Sequence, residues 1–140
     1  MTKILVTGGA GNIGSVTVEK LLHDPDNFVV VADDLSTGFL NKLPFEGKPN
    51  FLFFKCDVNN LADISKIMMT HKFDYVFHFA AVVGVKRTQE NPVSVLEDII
   101  GIKNVLNLSK NTGVKQVYYS SSTEVYGEPV EFPQNEHTTP

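Results

Sequence analysis

At 140 residues, with 42% hydrophobic and 20% charged residues, the chain has length for one buried core and an ordinary globular balance. Its net charge of -4 argues against a nucleic-acid binder, and its one cysteine, Cys56, excludes an internal disulfide. No apolar run approaches the ~18 residues of a membrane span, and the N-terminus enters a strand at once. We therefore expect no membrane segment, no signal peptide and a cytoplasmic setting.

The apolar run Ile4-Leu5-Val6 predicts a buried strand, followed by glycines at 8, 9, 11 and 14. Gly9-x-Gly11-x-x-Gly14 fits the general dinucleotide fingerprint, and Thr7-Gly8-x-x-Gly11-x-x-Gly14 a narrower variant. Such spacing turns the chain tightly and aims the next helix's N–H groups at an anion. The competing reading is a glycine-rich surface turn. Ile13, Val16, Leu21 and Leu22 then mark a helix from Asn12 to about His23, stopped by His23-Asp-Pro-Asp-Asn27. Phe28-Val-Val-Val31 is the second strand.

Asp33 stands 19 residues beyond Gly14, at the end of that strand. A carboxylate there accepts both hydroxyls of an adenosine ribose and repels a 2'-phosphate, which favours NAD over NADP. Leu35 to Asn50 reads as a polar connection with a helical turn near Phe39-Leu40. Phe51-Leu-Phe-Phe54 is the third strand, after which Cys56 reads as a small core residue. Asp57 could meet an adenine amino group or cap the helix that begins near Asn60. That helix carries Leu61, Ile64, Ile67 and Met68 and ends around His71.

Asp74-Tyr-Val-Phe-His-Phe-Ala-Ala81 predicts a fourth strand running into small residues that let a ligand approach backbone. His78 reads as a hydrogen-bonded core histidine in preference to a catalytic one. Residues 82–88 are expected as a loop over the site. Asn91-Pro92 opens one long helix to about Lys110, with apolar residues on more than one face. Lys115-Gln-Val-Tyr-Tyr119 is the fifth strand, delivering Ser120-Ser-Ser-Thr-Glu-Val-Tyr-Gly127 to its carboxyl end. No metal-ligand cluster is expected.

In this order, Thr7-Gly8-x-x-Gly11-x-x-Gly14, Asp33, Asp57, His78-Phe-Ala-Ala81 and Ser120-Ser-Ser-x-x-Val-Tyr-Gly127 resemble the extended short-chain dehydrogenases. The likeness is to their NAD-dependent nucleotide-sugar epimerase/dehydratase group. It implies an α/β, Rossmann-like, doubly wound parallel sheet ordered 3-2-1-4-5. Residues 1–140 would then be a partial NAD-binding domain, ending before the remaining strands and the C-terminal substrate domain.

The resemblance assigns cofactor contacts to Thr7, Gly8, Gly11, Asn12, Ile13, Gly14, Asp33, Asp57, Val58, Phe79, Ala80, Ala81 and Ser120. It assigns Ser122, Thr123 and Glu124 to catalysis on a UDP- or dTDP-sugar. Ser122 would hydrogen-bond the sugar's reacting oxygen, and Glu124 would be an acid/base after C4 is transiently oxidised. Glu124 leans away from simple epimerases. Thr123, where dehydratases carry Asp, leans toward decarboxylase-like relatives or an epimerase. Asp98 stands where the family commonly has Asn. The catalytic Tyr-x-x-x-Lys is missing: Phe79, Ser122, Thr123 and Val130 follow Tyr75, Tyr118, Tyr119 and Tyr126 at the fourth position. The chain is thus expected to be the N-terminal portion of a longer enzyme, inactive alone and dimeric through the 92–110 helix. The alternative is a non-catalytic NAD-binding scaffold or regulator.

Overall fold

The computed structural model describes residues 1–44, 48–82, 84–128, 131–133, 135 and 137, with Val85, Arg87, Thr123 and Glu124 described by backbone alone. Strands β1 (Thr2–Thr7), β2 (Asn27–Asp33), β3 (Phe51–Lys55), β4 (Tyr75–His78) and β5 (Gln116–Tyr119) form one parallel sheet. Their order is β3-β2-β1-β4-β5, as expected from the sequence.

The side chains of β1 show why these runs are strands. Ile4 and Val6 join Val18, Leu22, Val29 and Val31 under α1 (Asn12–Leu21), while Leu5 joins Val30 and Val76 on the other face. Alternation of this kind is the two-residue period of a pleated strand. Helix α2 (Leu61–His71) covers the second face with Ile64, Ile67 and Met68. Asn60 caps it, its side chain accepting from the Ala62 N–H at 3.0 Å. Capping therefore does not fall to Asp57.

Two expectations change. Residues 82–88 are not all loop, because α3 spans Val85–Glu90. Thr88 starts it by donating both its N–H and its hydroxyl to the Gly84 carbonyl, at 3.0 and 3.1 Å. The single long helix is two, α4 (Pro92–Glu97) and α5 (Ile99–Thr112). At the junction the Gly101 N–H bonds to the Asp98 carbonyl, three residues back instead of four. The Asp98 carboxylate is drawn off to the Val82 N–H at 2.8 Å. Leu108 and Val105 pack α5 into the core beside α2, while Val93, Leu96 and Ile99 remain exposed.

The amino ends of three strands meet at Asp74. Its carboxylate accepts from the Lys3 N–H and pairs with the Lys115 ammonium, both at 2.9 Å. Its own backbone bonds to the Lys3 carbonyl and the Lys115 N–H, both at 2.8 Å. The lysine ammonium and the Lys3 N–H hold the Asp74 carboxyl below its ordinary pKa.

Candidate functional site

A cleft of about 1000 Å³ opens at the carboxyl ends of the strands, where the chain order reverses between β1 and β4. Ligands of open parallel sheets bind at such switch points. The glycine turn after β1 forms its floor. Gly8, at φ +67°, lies so close to β4 that a Cβ would stand 2.5 Å from the Ala80 nitrogen. Gly9 is turned the other way, against Val31, and does not line the cleft. The narrower register, Gly8-x-x-Gly11-x-x-Gly14, is thus the one that faces it.

Gly11 caps α1 without any side-chain hydrogen bond, and a Cβ there would meet only the Gly8 carbonyl, at 3.3 Å. Its bare side opens on the cleft together with Asn12, Ile13 and Gly14 of the first turn. N–H groups in a first helical turn lack intrahelical partners and carry the positive end of the helix dipole. The result is a cradle for an anion.

Asp33 lines the cleft and is itself buried. One carboxylate oxygen accepts from the Ala10 N–H at 2.9 Å and the other from the Leu35 N–H at 2.8 Å. A carboxylate offers about four lone-pair sites, so two hydroxyls can still be accepted. Asp57 and Val58 continue the wall, with Asp57 accepting from the Asn59 N–H at 2.9 Å. The Asn104 amide fixes this turn from α5 by donating to the Val58 and Asn59 carbonyls, at 3.0 and 3.2 Å. Cys56 lines the same wall, and burial, reinforced by Asp63, Asp57 and Asp34, pushes its thiol up to about 12.

Phe79, Ala80 and Ala81 lead across the cleft to Ser120, Ser121 and Ser122 after β5. A 3-10 turn over Thr123–Tyr126 follows. The side chains of Thr123 and Glu124 lie outside the described residues. Thr7 does not line the cleft but sits fully buried beneath it. Its hydroxyl shares a 2.7 Å hydrogen bond with His78 Nδ1 and accepts from the Ala80 N–H at 3.4 Å. His78 is therefore a hydrogen-bonded core residue, 3% exposed, its ring stacked on Tyr119. Burial lowers its pKa, opposed by the negative charge of Asp98.

Val82 lines the cleft, as expected of the start of the 82–88 segment, while Ser36, Thr37, Asn59 and Tyr119 also line it and escape sequence reasoning. The available signal was Gly38: it packs on Ala10 and Asp33 and folds the loop after β2 back over the glycine turn. Among the described residues no group of three or more His, Cys, Asp or Glu could hold a metal, and no helix is long and apolar enough to cross a membrane.

A parallel sheet in this order, with a glycine turn and a bare helix terminus at its switch point, defines a dinucleotide-binding Rossmann domain. Residues 4–140 match the NAD dependent epimerase/dehydratase family, and the chain belongs to it. UDP-glucuronic acid decarboxylase 6 of Arabidopsis thaliana is 36% identical over 136 residues, covering 96% of this chain and 37% of that protein. The UDP-glucose 4-epimerase of Thermotoga maritima, solved with UDP-glucose, has a TM-score of 0.85 at 36% identity and covers 99% of this chain. That of Thermus thermophilus, solved with NAD, also scores 0.85, at 33% identity and 99% coverage. The chain spans 44% of each epimerase.

Proposed function

We propose that this chain is the NAD-binding part of an enzyme that acts on a nucleotide sugar by transient oxidation at sugar C4. The observation that carries this reading is the single cleft running from Asp33, across the glycine turn and Ala80-Ala81, to Ser120–Ser122. The first-turn N–H groups of Asn12 and Ile13 would receive the pyrophosphate, beside Gly8, Gly11 and Gly14. Asp33 would accept the ribose hydroxyls, and Asp57 with Val58 would border the adenine. Phe79, Ala80, Ala81 and Ser120 would line the nicotinamide path, with Thr7 holding Ala80 from below. NAD, when bound, supplies a reversible hydride acceptor.

Ser122 would hydrogen-bond the sugar's reacting oxygen, and Thr123 and Glu124 follow on the same turn, with Glu124 as acid/base. The names of the relatives favour a UDP-sugar over a dTDP-sugar. Both a decarboxylase and epimerases are among them, in keeping with the Thr123-Glu124 pair. The exposed Val93, Leu96 and Ile99 offer apolar area for a homodimer across α4 and α5. The lone buried thiol suits a reducing cytoplasm.

No tyrosine in the sequence has lysine four residues on, so the chain alone is expected to bind NAD without turning a sugar over. Calorimetric titration with NAD and NADP tests the binding: micromolar NAD and weaker NADP are expected, and absence of NAD binding refutes the reading. Chromatography of UDP-glucose and UDP-glucuronate after incubation with the chain and NAD is expected to return both sugars unchanged, and an epimer, a 4-keto sugar or a decarboxylated product would refute the incompleteness.

A further inference from the structure

The cleft confronts a dinucleotide with an electrostatic problem. Asp33, Asp34, Asp57 and Asp98 line it, and among the described residues no Lys or Arg does. A pyrophosphate brings two negative charges, whereas the terminus of α1 supplies roughly half a positive one. Sequence distance hides the counter-charge, because Lys42 lies far along the polar connection after β2.

The fold brings it back. The Phe39 N–H bonds to the Ala10 carbonyl at 3.1 Å, and a 3-10 turn over Leu40–Lys42 follows. Leu43 then buries its side chain in the core under α1. Anchored on both sides, Lys42 places its ammonium 2.5 Å from Asn12 Oδ1, with the charge 5.3 Å from the Phe39 ring centroid. Asn12 is the first residue of α1 and lines the cleft. An ammonium has three donors, and Asn12 takes one.

Resting on the NAD reading above, we infer that Lys42 is a pyrophosphate-binding residue, held by Asn12 beside the α1 terminus with donors left for phosphate oxygens. The loop after β2 then recognises both ends of the adenosine diphosphate: Asp33 the ribose, Lys42 the phosphates. A residue that only braced the loop would affect every ligand of the adenosine pocket alike. A phosphate ligand discriminates between them.

The test titrates the full chain and its Lys42→Met and Lys42→Arg variants with NAD, ADP-ribose and adenosine, at low and high salt. Lys42→Met is expected to weaken NAD and ADP-ribose by roughly three- to tenfold at low salt, with adenosine unchanged. Added salt should narrow that gap, and Lys42→Arg should retain most of the affinity. Unchanged NAD binding in Lys42→Met, or an equal loss for adenosine, overturns the inference while leaving the NAD reading intact. Failure of the unmodified chain to bind NAD or ADP-ribose overturns both.

Discussion

Asp33→Ala is the usual way to probe a ribose-binding carboxylate, and here it would remove two things at once. The carboxylate holds the glycine turn through Ala10 and the following loop through Leu35. Ala10 is fully buried, so its N–H would be left without a partner, at about 1–3 kcal/mol. The Leu35 N–H lies nearer the surface, and water can replace much of its bond. We expect a total of about 2–4 kcal/mol, a large fraction of the ~5–15 kcal/mol that stabilises a domain. With a urea slope of about 2 kcal/mol per M, the midpoint should fall by about 1–2 M. Asp33→Asn keeps one acceptor oxygen and should lose about half as much. Urea melts followed by circular dichroism, beside NAD titrations of both variants, separate the two roles. If Asp33 meets the ribose, both variants weaken NAD and relax discrimination against NADP, whatever their stability. A midpoint for Asp33→Ala within about 0.2 M of the parent would refute the tether.

Three further outcomes follow from the geometry. With its thiol near 12 instead of the ordinary 9.0, Cys56 should carry roughly a thousandfold less thiolate at pH 8. Native protein should resist iodoacetamide, and labelling at the rate seen in urea would contradict the burial. His71 and His78 both have lowered pKa values, chiefly because burial penalises the imidazolium, with Lys3 adding to the effect at His71. The unfolded chain then binds protons that the fold refuses, so stability falls as pH drops below about 6.5. Urea midpoints at pH 7.5 and 5.5 check this, and a flat or rising stability toward acid would refute it. Lys72 ends α2 in the left-handed region at φ 52° with an exposed side chain. Lys72→Gly should raise stability by about 0.5–1 kcal/mol, and a lower thermal midpoint would count against that account.

The sheet was legible because each strand is a short apolar run closed by a turn signal, and the strand order came with the family resemblance. The glycine turn was legible because its constraint is local: three positions, one turn, one helix start. What escaped depended on long-range contact. Thr7 meets His78 across 71 residues, which seats its side chain beneath the cleft instead of on its wall. Asp98 breaks the 92–110 helix by binding Val82, and nothing in the helical periodicity marks that. Lys42 reaches Asn12 through an aperiodic loop whose direction only packing sets. The two readings of Asp57 narrowed because Asn60, also a good cap, took the helix start.

The knot at Asp74 has a mechanical side. It ties β1, β4 and β5 at their amino ends, farthest from the cleft, with a charge-assisted clasp as well as backbone bonds. Backbone pairing of β4 with β5 runs from Tyr75–Gln116 only as far as His78–Tyr119, so the chain beyond spreads from this pivot like the ribs of a fan, its rim lying past the last pair. Here the rim is the cleft, where Ala80 and Ser120 stand at the tips of neighbouring ribs. Amide hydrogen exchange should accordingly run slowest near the pivot and quicken toward the tips. Cutting the pivot with Asp74→Ala would loosen the distant rim without touching any residue on it.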